Sequence, residues 1–518
     1  MFKNHPKGLL TASLSNMGER FGFYIMMAIL TLFISAKFGL SETTTGYVYS
    51  VFYASIYVLA LVGGLIADRT RNYKGTILMG LILMAVGYFI IAVPTPTPVP
   101  NVALYLTLTC FGLLVIAFGN GLFKGNLQAL VGQMYDTPQY SKFRDAGFQI
   151  FYMFINIGGF FAPWIAIALR NWWLKTNGFD YNAALPELCH RYIETAGALD
   201  ATNLAKLQEY ADGVTLSGVP VADLPVFVNN YLEIFNRGFQ YAFMAAIGAM
   251  IISLVIYLYN KKRFPDPAEK KARQQTAQTS QEDLQMDIAA IKQRVYALFA
   301  VFGIVIFFWF SFHQNGYSLT YFARDYINLD VINIDLGFTT IKGAEIFQCV
   351  NPFFVVMLTP VIMWLFGSLR RKGKEPSTPK KIGIGMGIAA LGYVFMLLAS
   401  VALPDKSALS GMSAGALEVM RLTPWVMVGM YFIMTVAELF ISPLGLSFVS
   451  KVAPPHLQGL MQGCWLAATA VGNLLLFIGG ILYTSVPLWA CWLVFVCACG
   501  LSMIVMLLMV KWLERVAK

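Results

Sequence analysis

The segment Gly75–Pro94, GTILMGLILMAVGYFIIAVP, has twenty residues and no charged side chain. An α-helix rises about 1.5 Å per residue, so a helix of this length covers about 30 Å, the thickness of the hydrocarbon core of a bilayer. Few helices of soluble domains are both this long and this uniformly apolar. The segment therefore predicts a membrane-spanning helix.

Similar segments recur along the whole chain of 518 residues, of which 58% are hydrophobic and only 12% charged. The mean hydropathy is +0.63. This composition excludes a disordered chain, a coiled coil and an ordinary soluble enzyme, and the length of the apolar runs excludes a transmembrane β-barrel. We expect an all-α, multi-pass membrane protein with about twelve transmembrane helices. The predicted spans are 10–36, 44–67, 75–94, 102–133, 145–169, 236–259, 293–323, 339–368, 382–402, 423–450, 456–482 and 486–513.

The basic residues predict the orientation. If the N-terminus lies in the cytoplasm, most Lys and Arg of the loops fall on the cytoplasmic side, including the basic stretches within 261–294 and 370–381. Loops rich in Lys and Arg stay in the cytoplasm. We therefore expect both termini in the cytoplasm and the protein in the plasma membrane, as a bacterial inner-membrane protein. The same asymmetry accounts for the net charge of +10, so no nucleic-acid partner is expected.

Two polar segments predict the domain organisation. Residues 260–292 are charged and rich in Gln, which is typical of a cytoplasmic linker between two six-helix bundles, 1–259 and 293–518. Residues 170–235 are too polar to span the bilayer, and we expect a small external cap with short helices at 183–197 and 201–212.

Two six-helix halves are typical of a transporter with a central site. The loop after the second span reads GGLIADRTRNYKG (Gly63–Gly75). It resembles the conformational loop motif of the major facilitator superfamily, with Gly64, Asp68 and Arg69 at the motif positions. This resemblance implies the major facilitator fold.

Ionisable residues inside the spans are costly in lipid and therefore indicate function. Adjacent helical positions point about 100° apart, so Glu19 and Arg20 need not pair with each other. Lys124 and Glu438 are lone opposite charges, one in each half, and predict an interbundle salt bridge; the alternative is that such groups only hold helices together. The ionisable residues of the spans are Glu19, Arg20, Lys124, His313 and Glu438.

Aromatic and amide side chains accompany these charges at mid-helix. A buried amide must find hydrogen-bond partners, whereas a single aromatic ring more often serves core packing. A cavity with one cation, one anion, amides and aromatic walls fits a zwitterionic ligand such as an amino acid or short peptide. The residues concerned are Phe23, Tyr24, Tyr53, Tyr57, Trp309, Trp465, Asn156 and Asn351.

Several further motifs run through both halves of the chain. They are NMGERFGFY from Asn16, FKGN from Phe123, FYMFINIGG from Phe151, the FW…HQNG pattern of Trp309–Gly316, the FQ…NP pattern of Phe347–Pro352, AELFISPLGLS from Ala437 and MQGCWLAATA from Met461. Together these motifs resemble those of the proton-dependent oligopeptide transporter (POT) family, and the resemblance covers essentially the whole membrane domain.

The resemblance implies uptake of di- and tripeptides by alternating access, driven by inward proton movement, with the proton as coupling ion and no other cofactor. It implies that Arg20 and Lys124 attend the peptide carboxylate, and that Asn156, Asn351 and Glu438 receive the amino end. The side-chain pockets would be lined by Tyr24, Tyr57, Trp309, Trp465 and Thr469. Glu19 would belong to the proton-linked motif of helix 1. We further predict proton-linked roles for Arg20, His313 and Glu438, for His313 because a free imidazole titrates at about pH 6.5.

The chain departs from the family pattern at several positions. Asn16 replaces the first acid of the helix 1 motif, Met27 stands at a family Arg, and His313 stands at a family acid. The last two changes remove both ends of one interbundle ion pair of the family, while Lys124 and Glu438 remain. Residues 260–292 are too polar for the extra helix pair of bacterial relatives, which leaves twelve helices rather than fourteen.

An alternative function stays open because the fold alone does not fix the substrate. On the same fold the chain could export or facilitate transport of another small molecule, such as a drug, a nucleoside or an amino acid derivative, without proton coupling. We expect no enzyme, because the sequence shows no nucleophile–base set, no metal-ligand cluster and no nucleotide-binding GxxxxGK[ST] motif. No obligatory protein partner is expected besides the lipid bilayer.

Overall fold

The computed structural model describes residues 5–70, 72–135, 139–140, 143–264, 288–454 and 458–516. Helices dominate this part of the chain, because segments surrounded by lipid must satisfy their backbone hydrogen bonds internally. The helices are α1 (Lys7–Phe38), α2 (Glu42–Thr70), α3 (Tyr73–Ala92), α4 (Val102–Met134), α5 (Arg144–Thr176), α6 (Leu185–Glu194), α7 (Ala201–Val214), α8 (Leu224–Asn260), α9 (Ile288–Phe312), α10 (Ser318–Tyr326), α11 (Val350–Arg371), α12 (Thr378–Ser400), α13 (Ala414–Met420), α14 (Trp425–Val452), α15 (Gln458–Leu474), α16 (Phe477–Ser485) and α17 (Leu488–Val516).

Twelve helical segments of the described chain are long and apolar enough to cross a membrane, which confirms the predicted number of spans. Ten of these segments are built on one helix each. The seventh joins α9 to α10 through a 3₁₀ turn at His313–Gly316, and the eleventh joins α15 to α16 just after Leu474. Neither break was predicted, because both lie inside continuous apolar runs.

The spans before and after the linker form two packed groups. In the first group α1 packs against α5 and α8, and α4 packs against α2 and α3; in the second, α12 packs against α14 and α17, and α9 against α15 and α17. Small residues allow such close approach in membranes. A Cβ on Gly80 of α3, for example, would lie only 2.6 Å from the carbonyl oxygen of Gly119 of α4. The predicted linker, 260–292, lies largely outside the described residues.

The polar insert contains two short helices where the sequence predicts them, but it is shorter than expected. Helix α5 continues to Thr176 and α8 begins at Leu224, so the segment between spans is 177–223. The side that carries residues 177–223 is called the insert face below, and the side where α1 begins is called the terminal face. A short two-stranded ribbon also lies at the insert face, with β1 (Ile334–Asp335) antiparallel to β2 (Thr340–Ile341).

The conformational loop motif is placed differently from the expectation. Helix α2 runs through Gly64 and Arg69 to Thr70, so most of the expected loop is helical. Gly63, rather than Gly64, allows close packing: a Cβ there would overlap the Gly121 carbonyl group, whereas a Cβ on Gly64 has nothing within 4 Å. Arg69 is exposed, and the side chain of Asp68 lies outside the described part.

Candidate functional site

A cavity of about 360 Å³ lies between the two groups of spans. Both groups contribute side chains to its wall, as a site between pseudo-symmetric halves requires. Most of the residues predicted from the sequence line it. They are Arg20, Tyr24, Tyr57, Lys124, Trp309, His313, Asn351, Glu438, Trp465 and Thr469.

The cavity also has lining residues that were not predicted. Gln128 lies one turn after Lys124, and Ser442 lies one turn after Glu438. Residues four positions apart share a helix face. Counting one helical turn from Lys124 and from Glu438 could therefore have identified both residues in the sequence. Gln348 lies before the start of α11, and its amide donates to the Asn315 carbonyl at 2.5 Å. No periodic signal identifies Gln348, since it belongs to a 3₁₀ turn.

The negative end of the cavity is Glu438 of α14. Asn351 of α11 donates to Glu438 Oε2 at 2.9 Å and to the Thr435 hydroxyl at 3.0 Å. Both amide hydrogens of Asn351 are thereby used, and its carbonyl oxygen remains as an acceptor. A carboxylate and an amide oxygen thus stand together, a pair of acceptors suited to an ammonium group.

The positive end is Lys124 of α4. Its ammonium lies 5.5 Å from the centre of the Tyr57 ring, a cation–π distance. Within the described chain, Lys124 has no carboxylate within 4.0 Å. The predicted Lys124–Glu438 salt bridge is therefore not formed in this conformation, although both charges face the same cavity. The two charges lie apart in the wall of this cavity.

Glu19 and Arg20 pair with each other, although their adjacent helical positions do not require it. The Arg20 guanidinium donates from Nε to Glu19 Oε2 at 2.5 Å and from Nη2 to Oε1 at 2.6 Å, and Asn120 donates to the same Oε1 at 2.9 Å. Long side chains bend towards each other because a buried charge without a partner is costly. Glu19 is fully buried and is not among the residues that line the cavity.

Asn156 does not line the cavity either. It is buried in α5 and donates to the carbonyl oxygen of Tyr152, one turn earlier, at 3.0 Å. Its amide is thus bonded within its own helix, and Tyr152 occupies the cavity wall instead. The predicted role of Asn156 at the amino end has no support in this conformation.

His313 lies in a shell of aromatic rings at the break between α9 and α10. The imidazole Nδ1 lies 2.5 Å from Asn473 Oδ1, so we assign the hydrogen to Nδ1 because the amide oxygen can only accept. The ring centre lies 4.9 Å from that of Trp309 and 4.5 Å from that of Tyr53. Met27 also lines the cavity. Met27 and His313, which replace the two ends of a family ion pair, therefore face the same cavity.

The insert face is closed by polar contacts between the two groups of spans. Arg324 donates to Glu42 at 2.7 Å, and Lys406 lies 3.2 Å from the same carboxylate. Within the second group, Tyr483 donates to Asp325, next to Arg324, at 2.8 Å. Among the described residues, the hydrogen bonds and ion pairs that join the two groups lie on this side of the cavity. We call this cluster the insert-face network; its members are Glu42, Glu187, Arg324, Asp325, Lys406 and Tyr483.

A second closing contact joins α5 to the turn before α11. Arg170 and Glu345 form an ion pair in which both side chains are fully buried. The guanidinium also lies 3.9 Å from the centre of the Tyr181 ring and donates to the Lys342 carbonyl at 3.0 Å. Asn171 donates to the Thr340 carbonyl at 2.8 Å. These contacts fix the β1–β2 ribbon against the end of α5.

Known proteins resemble the chain over nearly its full length. The peptide transporter YePEPT of Yersinia enterocolitica is 28% identical over 498 residues, covering 91% of this chain and 87% of that protein. Dipeptide and tripeptide permease B of Xenorhabdus bovienii is 26% identical, with 91% and 86% covered. The crystal structure of a peptide transporter POT in complex with sulfate superposes with a TM-score of 0.71 at 23% identity, covering 100% of this chain and 96% of that chain.

The solved structure shows that the chain has the fold of that protein, which agrees with the predicted fold class. The model of the POT family matches residues 74–281 and 268–486, most of the chain and parts of both groups of spans. The relatives are transporters and permeases, not enzymes. With the family motifs in the walls of the central cavity, the chain belongs to the POT family of multi-pass membrane transporters.

Proposed function

We propose that the protein takes up di- and tripeptides by alternating access, coupled to inward proton movement, across a bacterial inner membrane. The insert face is then external and the terminal face cytoplasmic. The structure corresponds to a state with its external side closed. We also propose that residues 260–292 link two six-helix bundles, 1–259 and 293–518. The coupling ion is the proton, and no further cofactor takes part.

The observation that carries the proposal is the separation of one cation and one anion across a single aromatic cavity. Lys124 and Glu438 face the cavity without pairing, so each is available to one terminus of a peptide. The ring of Trp465 and the Tyr24 and Tyr57 rings provide walls that accept varied side chains without hydrogen-bond demands. The names of the relatives, peptide transporter and tripeptide permease, agree with this chemistry.

The test of the substrate class is competition in proteoliposomes. Uptake of labelled dialanine is measured against unlabelled dialanine, N-acetyl-dialanine and dialanine amide, with liposomes lacking protein as the blank. A ligand without one charged terminus leaves either Lys124 or Glu438 unpaired, so both blocked peptides should compete at least tenfold more weakly. Equal competition by all three compounds would reject the zwitterion site.

One observation favours a second candidate, a peptide facilitator without proton coupling. His313 is engaged by Asn473 and Met27 carries no charge, so the ion pair that the family forms there is missing. Accumulation of dialanine under an imposed inward proton gradient separates the candidates. Uptake that never exceeds equilibration, with normal exchange of labelled against unlabelled peptide, would favour the facilitator.

A further inference from the structure

A second cavity, of about 80 Å³, lies at the insert face, where the insert meets the loop between α12 and α14. Two carboxylates line it, those of Glu187 and Asp325, but the cations outnumber them. The cationic lining residues are Arg191, Lys206, Arg324, Lys406 and Arg421.

Both carboxylates already form ion pairs with two of the five cations, Arg324 and Lys406. Asp325 is 2.7 Å from Arg324 and 3.0 Å from Lys406, and Glu187 is 3.4 Å from Lys406. These contacts and the nearby Glu42 balance Arg324 and Lys406, and the surrounding carboxylates raise the pKa of Lys406 in spite of its burial.

The other three cations have no such partner. Within the described ranges, no carboxylate lies within 4.0 Å of Arg191, Lys206 or Arg421. Each of them belongs to a different element, α6, α7 and the turn after α13. Three positive charges from separate elements thus converge on one small space without an ion pair of their own.

Two of these lining residues keep donors that have no partner among the described residues. Lys206 is only 4% exposed and donates to the Leu409 and Ser410 carbonyls at 3.0 and 3.2 Å, which occupies two of its three ammonium hydrogens. The Nε atom of Arg421 is buried and has no hydrogen-bond partner among the described residues. Burial, followed by the neighbouring Arg191 charge, lowers the pKa of Lys206, although the carboxylates of Asp200 and Glu187 oppose this shift. Buried charges and donors are normally satisfied.

We propose that this cavity binds a small anion, a halide or a compact oxyanion, between Lys206, Arg421 and Arg191. A volume of about 80 Å³ admits only a few heavy atoms, since a water molecule in the liquid occupies about 30 Å³. The anion compensates the three cations and accepts from the unused donors. Because the cations come from the insert and from the second group of spans, the anion holds the insert onto the closed face.

The test is thermal unfolding of the purified full-length protein in sodium gluconate, with part of the gluconate replaced by chloride, sulfate or acetate at constant ionic strength. Gluconate is too large for the cavity. The anion that fits should raise the unfolding midpoint by roughly 2–4 °C and saturate with concentration, and comparison of the three arms identifies halide or oxyanion. No saturating response to any of them would overturn the proposal.

The double variant Lys206→Gln/Arg421→Gln separates anion binding from a purely structural role. It should lose the anion response, and in gluconate its midpoint should equal or exceed that of the unmodified protein, because repulsion among the cations is relieved. The matched control Lys175→Gln removes an insert-face lysine outside the cavity, paired with Asp335, and should keep the response. The milder variant Arg191→Gln should weaken the response at least threefold in apparent affinity. An anion response that persists in the double variant contradicts the site.

Discussion

In the proposed binding mode Lys124 and Glu438 each act through a single charge, and substitution by glutamine tests that charge. Glu438→Gln keeps an acceptor for Asn351, and Lys124→Gln keeps a polar side chain in the wall. A hydrogen bond to a charged group contributes about 1.5–3 kcal/mol, so dialanine uptake should fall by at least about tenfold in either variant. Uptake into proteoliposomes at equal protein content measures the loss.

The matched control for this pair is Ser442→Ala, which removes a neutral polar group one turn from Glu438 in the same cavity wall. It should retain more than half of the uptake. Near-normal uptake by Lys124→Gln or Glu438→Gln would reject the assignment of the peptide termini.

The proposed proton coupling is tested most directly at His313. In His313→Gln the amide can still bond to Asn473, but it cannot carry a proton at working pH. We expect loss of gradient-driven accumulation with retention of substantial exchange of labelled against unlabelled peptide. Asn473→Asp is the informative companion, because a carboxylate beside the imidazole would favour the protonated form and shift the uptake–pH profile upwards. Full accumulation by His313→Gln would exclude this residue from coupling.

The sequence identifies the charged cavity residues well because a lone charge in an apolar span is costly in lipid and is seldom kept without a function. Glu19 and Asn156, in contrast, were predicted as site residues but do not line the cavity. Whether a mid-helix polar residue faces the cavity, a neighbouring helix or its own backbone depends on the rotation of that helix. Asn156 satisfies its amide on the Tyr152 carbonyl, and Glu19 is held by the adjacent Arg20, so neither needs the cavity.

At the scale of elements, the number and location of the spans follow directly from apolar length, whereas the breaks inside them do not. The break between α9 and α10 places Tyr317 between the two groups of spans. Its hydroxyl donates to the Glu42 carbonyl at 2.5 Å and lies between two glycines, Gly46 of α2 and Gly480 of α16. A Cβ on either glycine would overlap the hydroxyl oxygen. The sequence around Tyr317 alone cannot show that its side chain packs against glycines of two other helices.

Gly46→Ala should therefore exclude the closed insert face rather than unfold the protein. The added methyl group on α2 overlaps Tyr317 of the second group only while the two groups are packed together at this face, so uptake should fall at least tenfold while the protein remains folded in gel filtration. Tyr317→Leu, which removes the hydroxyl and the distal ring, should restore uptake at least partly in the Gly46→Ala background. Gly248→Ala is a suitable control, because a Cβ there meets nothing within 4 Å. Unchanged uptake by Gly46→Ala would show that this contact is not needed in the cycle.

At the scale of the whole molecule, the sequence predicts two groups of spans and a polar insert but not the conformation that unites them. Alternating access requires one sequence to be compatible with at least two packings, so no residue pattern selects one of them. The unformed Lys124–Glu438 bridge illustrates this point, because the two charges can meet only if the cavity contracts. The insert-face network and the Arg170–Glu345 pair stabilise the observed state.

The Arg170–Glu345 pair allows a quantitative test of that stabilisation. Removing one partner leaves the other charge buried without compensation, at a cost of about 3–5 kcal/mol in the closed conformation. Arg170→Met and Glu345→Met should each lower the unfolding midpoint and slow uptake, whereas the double variant, which buries no lone charge, should recover much of the stability. Lys175→Met breaks an exposed ion pair with Asp335 and should cost at most about 1 kcal/mol. If the double variant loses as much as the two single variants together, the two residues act independently, and the closure of the insert face does not depend on their pairing.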